Sequence, residues 1–196
     1  KLFLLLVFVV FVVAQPPRPN PSEVFESGVE IGGEENGERI FGFGRWAIDQ
    51  PDGKGVEKYE MERPHESVYV LERYDLQKMF EIDDIHWTCH VSPLNSSTMP
   101  PVWAWLSQAT YVETRHINGV ECDIWELKAS TVTLDLAVHH DDVNVPYLLT
   151  NRQGHNHMEI RFTHWHTNPA NATWFDIPSA CPQKPMWKYS SSSSWW

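Results

Sequence analysis

Apolar and polar positions alternate along most of the chain. In ERIFGFGRWAID, Ile40, Gly42, Gly44, Trp46 and Ile48 share one side, while Phe41, Phe43, Arg45 and Ala47 share the other. PDGKG follows as a turn, after which VEKYEMER and ESVYVLERYDL continue as extended runs. IHWTCHV sets Ile85, Trp87, Cys89 and Val91 against His86, Thr88 and His90. Period two marks a strand with one face buried, because successive side chains of a strand point to opposite faces. TYVETRHI and VECDIWELK flank Asn118-Gly119, two residues that tolerate the positive φ a tight hairpin turn demands. VTLDLAVHH and VPYLLTN flank the turn-forming Asp141-Asp142, and HNHMEIRFTHWHT closes the set. Only PPVWAWLSQ, opened by a proline pair, reads as one or two turns of helix. Short strands joined by turns, with little helix between them, predict an antiparallel meander that is mostly β.

Outside this segment the pattern changes. KLFLLLVFVVFVVAQ has a positive charge, an apolar run and small residues before Gln15, the order of a secretory leader over residues 1–14. Its apolar run, Leu2 to Val13, falls short of the roughly 20 residues that span a bilayer as a helix, so no transmembrane segment is expected. Residues 15–38, rich in Pro, Gly and Glu, read as an extended, disordered arm. Residues 39–182 form the β domain, and the serine-rich tail 183–196 has no side chains able to build a core. Asn95 and Asn171 each open an Asn-x-Ser/Thr sequon, which agrees with secretion and marks surface loops.

Composition narrows the partners. A formal net charge of −11 disfavours phosphate backbones, so nucleic acid is not an expected partner. Ten Trp, nine Phe and six Tyr exceed the needs of a small core and point to a large cavity or to a partner face buried in a homodimer.

No catalytic constellation is visible. There is no GxSxG, no phosphate loop and no dinucleotide fingerprint, and GFGRWA spaces its glycines wrongly. Three cysteines in a secreted chain leave one over after pairing. Cys89–Cys122 is the favoured bridge, with Cys181 unpaired; Cys122–Cys181 and Cys89–Cys181 are the alternatives. Cys122 reads as disulfide or core rather than as a reactive thiol, since nothing nearby would lower its pKa. On a strand, His164 and His166 share a face and continue the stripe Met158, Ile160, Phe162. With Asp141 and Asp142 they form a candidate zinc or calcium set, against the plainer reading of solvated histidines and a solvated turn.

From Trp87 to Pro182 the chain resembles the ependymin-related proteins and the wider curved-sheet superfamily of LolA and LppX. The resemblance is carried by HWTCHVSPL, GVECDIWELKAS, VTLDLAV, VNVPYLL and RFTHWHTNPANATWFDIPSAC. Asn144 departs from it, standing where ependymin-related chains usually place a cysteine. The step Gly119-Val120-Glu121-Cys122-Asp123-Ile124-Trp125 is similar to N-terminal domains of certain papain-like peptidases, though no peptidase body is present in the sequence. The resemblance implies one strongly curved antiparallel sheet, a half-barrel, whose concave face is covered by one or two short helices and accepts lipid-like ligands, with calcium as a modulator.

The residues point the same way, because a curved sheet needs an apolar cover and Trp and Tyr suit an amphiphile pocket. The candidate wall is Trp46, Trp87, Trp103, Trp105, Trp125, Phe162 and Trp165. The function expected is thus a non-enzymatic protein, secreted or in the endolysosomal lumen, that binds a hydrophobic small molecule or lipid. An extracellular structural or adhesion protein, an accessory domain of a longer secreted peptidase, and a metal enzyme built on His164 and His166 are the rival readings.

Overall fold

The computed structural model describes residues 15–63, 65–168 and 171–182. Eleven strands form one antiparallel sheet: β1 (Val24–Glu35), β2 (Glu38–Asp49), β3 (Lys54–Arg63), β4 (Glu66–Arg73), β5 (Lys78–Asp83), β6 (Thr88–Pro93), β7 (Thr110–Ile117), β8 (Val120–Lys128), β9 (Val132–His139), β10 (Pro146–Gln153) and β11 (Asn156–His166). Among the described residues, helical structure is limited to 3-10 turns at Tyr74–Leu76, Ala104–Gln108 and Ala172–Phe175. The spatial order is β6-β5-β4-β3-β2-β1-β11-β10-β9-β8-β7. Two meanders are therefore joined where β1 pairs with β11, and every other neighbouring pair is consecutive in sequence.

The order explains the curvature. Residues 94–109 carry the chain from β6 at one edge to β7 at the other. Ten interstrand steps of about 4.8 Å would separate the edges of a flat sheet by about 48 Å. The connection, partly wound as a 3-10 turn that rises only about 2 Å per residue, barely reaches that far. The sheet bends so that this strap can cross its concave face. Gly42 and Gly44 help on that face: a Cβ on Gly44 would lie 2.0 Å from the Lys58 carbonyl oxygen, and one on Gly42 2.5 Å from Met61 Sδ.

The two faces have different covers. On the concave face Phe25, Val29, Ile31, Ile48, Trp125, Leu136, Val138, Ile160 and Phe162 pack with Met99, Trp103, Leu106 and Ala109 of the strap. On the convex face Ala47, Val56, Leu71, Phe80 and Ile82 pack under Phe175 and Cys181 of the segment after β11. A smaller convex cluster joins Cys122, Ile124, Ala137 and Tyr147 under the tip of the β7–β8 hairpin.

Four expectations are corrected. The arm expected over 15–38 contains β1, a central strand, because Phe25, Ser27, Val29 and Ile31 alternate into the core with fractional exposures of 4% or less. Its Gly and Glu content suggested disorder, and the period-two pattern overrode it. Second, the bridge is Cys89–Cys181, with Cys122 free and buried. Cys89 lies on the edge strand β6 and Cys122 on β8 near the opposite edge, so the two cannot meet. Third, the strand expected at Ile85 begins at Thr88, and Trp87 sits in the preceding turn at φ 52°. Fourth, His164 at φ 55° is a bulge, so the His164/His166 face does not exist as drawn from sequence. The leader 1–14 and the tail 183–196 lie outside the described residues.

Candidate functional site

The centre of the concave face is an aromatic cluster assembled from β1, β2, β11 and the strap. Phe25 stacks on Trp165 at 4.4 Å between ring centroids and meets Trp46 edge-on at 5.5 Å. Trp46 stacks on Phe162 at 5.9 Å, and Trp103 touches all four rings at 5.9–6.3 Å. Such offset and edge-to-face pairs add about 0.5–1.5 kcal/mol each beyond the area they bury.

Trp165 reaches this cluster because of the bulge. Gly28 pairs with Thr163 but Glu26 pairs with His166, so His164 and Trp165 together oppose Ser27. One extra residue flips the alternation. Trp165 then takes the core side that a regular strand would have given to His164. The buried Ser27 hydroxyl lies 2.9 Å from the Thr163 carbonyl oxygen and 2.8 Å from that of Gly28, holding the irregular step. His164 and His166 are both exposed.

Of the seven wall candidates, Trp46, Trp103, Phe162 and Trp165 come together here. Trp105 packs beside them from the strap. Trp125 lies on β8 against Tyr111, with the Arg18 guanidinium 5.6 Å from its ring centroid. Trp87 does not belong: it is 68% exposed at a hairpin turn. Phe25, missed because it falls in the supposed arm, is fully buried at the centre, and the alternation VFESGVEI was the signal for it.

The donors of these indoles divide sharply. Trp103 Nε1 donates to the Ser22 carbonyl at 3.2 Å. Trp46, Trp125 and Trp165 each bury Nε1 without a partner among the described residues. A buried donor left unpaired costs about 1–3 kcal/mol, so three on one face form an unusual concentration.

The strap is fastened by few polar ties. Arg18 donates to the Leu106 carbonyl at 2.8 Å, the Val102 amide donates to Glu23 at 3.1 Å, and Gln50 reaches the Met99 carbonyl at 3.5 Å. Its anchoring is otherwise apolar, through Met99, Trp103, Leu106 and Ala109. The oily hollow expected from sequence is therefore occupied at its centre by the protein's own strap.

Toward β3 and β4 the same face becomes polar. Glu57 accepts from the Tyr59 hydroxyl, and burial together with Glu57 pushes the Tyr59 phenol above its usual range. Burial, then the nearby Glu57, raises the Glu72 carboxyl.

The chain is similar in fold to LprF from Mycobacterium bovis. Identity is 10% and the TM-score 0.47, over 76% of this chain and 88% of that one. A LolA superfamily protein from Nitrosomonas europaea matches at 6% identity and a TM-score of 0.45, over 82% and 93%. The lipoprotein LppX of Mycobacterium tuberculosis matches at 13% and 0.36, over 76% and 89%. No protein-family model matches the chain, and no curated protein matches it. The ependymin and peptidase-domain parts of the sequence resemblance find no support in these comparisons. Likeness at this level leaves function to be read from the side chains.

The remaining candidates separate. Asp141 and Asp142 are exposed in the β9–β10 turn, where Asp142 accepts from the Asn144 amide at 3.1 Å. Among the described residues no three His, Cys, Asp or Glu side chains are grouped to hold a metal ion. The buried Cys122 thiol is pushed up to about 11 by burial and by Asp123, so it is not poised as a thiolate. Asn95 and Asn171 are exposed, and Asn171 caps a 3-10 turn by accepting from the Thr173 amide at 3.2 Å. No helix among the described residues is long and apolar enough to cross a membrane.

Proposed function

We propose that this protein binds an amphipathic, lipid-like molecule against the aromatic concave face, acting by binding rather than by catalysis. The observation that carries the reading is the set of three buried indole donors, Trp46, Trp125 and Trp165, without partners among the described residues, on the part of the concave face lined by rings and aliphatic side chains. An acyl or isoprenoid chain would exchange contacts with the strap residues it displaces. A head group with an acceptor oxygen would satisfy donors that the protein leaves unpaired. The strap 94–109 is the part that must yield, because it crosses the centre of this face without strand pairing. A secreted or luminal setting is supported by the disulfide and by two exposed sequons.

Ligands that differ only in head group test this. Dodecanoate and dodecanol offer an acceptor, whereas dodecylammonium offers donors only. We expect the first two to displace a fluorescent acyl probe about tenfold more tightly than the third, one hydrogen bond's difference. The net charge of −11 favours the cation, so a preference for acceptors runs against the long-range field. Equal affinity for all three, or no displacement by any, would sink the reading.

A further inference from the structure

The convex face carries a second concavity that the aromatic cluster does not use. The tip of the β7–β8 hairpin, turned at Asn118-Gly119 (φ 51° and 86°), overhangs β10, β11, β1 and β2 and leaves a cleft of about 620 Å³. Its floor is a cross-strand row in which Phe41 of β2, Gly32 of β1 and Glu159 of β11 stand side by side. A Cβ built on Gly32 meets nothing within 4 Å, so Phe41 does not lie over the glycine, and a gap stays open between Phe41 and Glu159. Phe41 is 45% exposed, a large ring held at the surface. A glycine within a strand, with open space above it, suits the close approach of a ligand.

The cleft's polar groups fall into two sets. Arg161 is committed to Glu30 of the neighbouring strand. Arg115 is held only loosely, 3.5 Å from Glu113 with both side chains more than half exposed. The side chains of His116, Asn118 and Glu159, all lining the cleft, make no hydrogen bond within the described residues. Donors and acceptors are thus mixed around one exposed ring. The charges of Arg115 and Arg161 balance those of Glu30 and Glu159.

We propose that this cleft binds a short neutral oligosaccharide. A sugar hydroxyl both donates and accepts, which matches Arg115, Asn118, His116 and Glu159 together, and hydrogen bonds to charged groups are the stronger kind. The apolar C–H face of a pyranose suits the Phe41 ring. An acyl chain would leave the same polar side chains desolvated and unpaired, and an anionic glycan would meet the repulsion of the acidic molecule. This site is independent of the concave face.

The test is titration of the full chain with cellotriose, chitotriose, maltotriose, mannotriose and galactobiose, read by saturation-transfer NMR. We expect at least one to bind with a Kd of about 1 mM or tighter. Gly32→Phe, which fills the gap, and Phe41→Ala, which removes the platform from an exposed position, each weaken it by about tenfold or more, while dodecanoate binding is unchanged. No saturation by any glycan at about 10 mM overturns the proposal. So does wild-type affinity in both variants, or competition between dodecanoate and the glycan, which would place the lipid in this cleft.

Discussion

Both faces of the sheet are covered by irregular chain, and the two covers are held in opposite ways. Segment 171–182 on the convex face packs Trp174, Phe175 and Ile177 onto β2–β6 and is tied covalently to β6 through Cys89–Cys181. Arg73 adds a hydrogen bond to the Phe175 carbonyl at 3.0 Å. The strap 94–109 on the concave face carries no covalent tie and relies on an apolar plug with a few hydrogen bonds exchanged with residues 18–50. Unpaired buried donors lie beneath the strap. One cover is locked by a covalent bond and the other is plugged by packing; under the proposed function only the second has to yield.

Breaking the lock should have the largest effect. The bridge closes a loop across a sequence separation of 92 residues. Removing a cross-link over a loop of that size costs about 4–5 kcal/mol through the entropy regained by the unfolded chain. For a domain of this length that is roughly 10–20 °C in Tm. The double substitution Cys89→Ser, Cys181→Ser is expected to show this drop in a thermal melt while leaving dodecanoate affinity within about twofold. A large loss of affinity at a temperature where the variant is folded would mean that the convex cover also shapes the concave site.

Loosening the plug should cost less stability and more control of entry. Leu106 of the strap is 3% exposed, and Leu106→Ala should lose about 3 kcal/mol, the usual cost of such a cavity. Hydrogen exchange should speed up across 94–109 and stay unchanged in β3–β5. Probe binding in stopped flow should become faster, since less packing opposes opening. Uniformly faster exchange in all strands would show that the strap is part of the global core rather than a separable cover.

How much of this was legible follows from what each signal reports. Alternation reports a strand and its buried face, so β2, β7–β8 and the hairpin at Asn118-Gly119 could be read directly. Alternation says nothing about strand order. The pairing of Cys89 with Cys181 depends on that order, which places β6 at one edge and β8 near the other. Phe25 was lost because Gly and Glu in β1 suggested disorder. Yet one of these glycines is required there: a Cβ on Gly33, at φ 148°, would stand 2.1 Å from the His157 carbonyl oxygen. Trp165 suits the wall as a ring with a polar tip, yet the parity of its strand argues against it, and only the bulge at His164 reconciles the two. The cleft over Gly32 left no trace in the sequence, because it arises from a hairpin tip overhanging strands distant in the chain.

The smallest expected effect concerns how the far end of the strap is latched. The strap hands over to β7 at Thr110, and Tyr111 touches the Trp125 ring at 5.8 Å. The Tyr111 hydroxyl lies 2.7 Å from Thr114 Oγ1, which donates to the fully buried Asp123 at 2.5 Å; His140 Nδ1 completes the set at 3.0 Å from Asp123. Its hydrogen bond to Asp123, and then the charge of that carboxylate, raises the His140 pKa. A raised histidine stabilises the fold fully below its unfolded value, about 6.5, and loses that contribution as pH rises through the folded value. Because His140 is half exposed, solvent screens the pair and the contribution is small. His140→Gln keeps a donor for Asp123 but no charge. Its Tm deficit relative to the parent chain should be largest near pH 5.5 and shrink toward zero by about pH 9. If the two melting profiles run parallel across that range, Asp123 is held by Thr114 without help from charge. The concave cover would then have no acid-strengthened latch to set against the sulfur bridge on the other face.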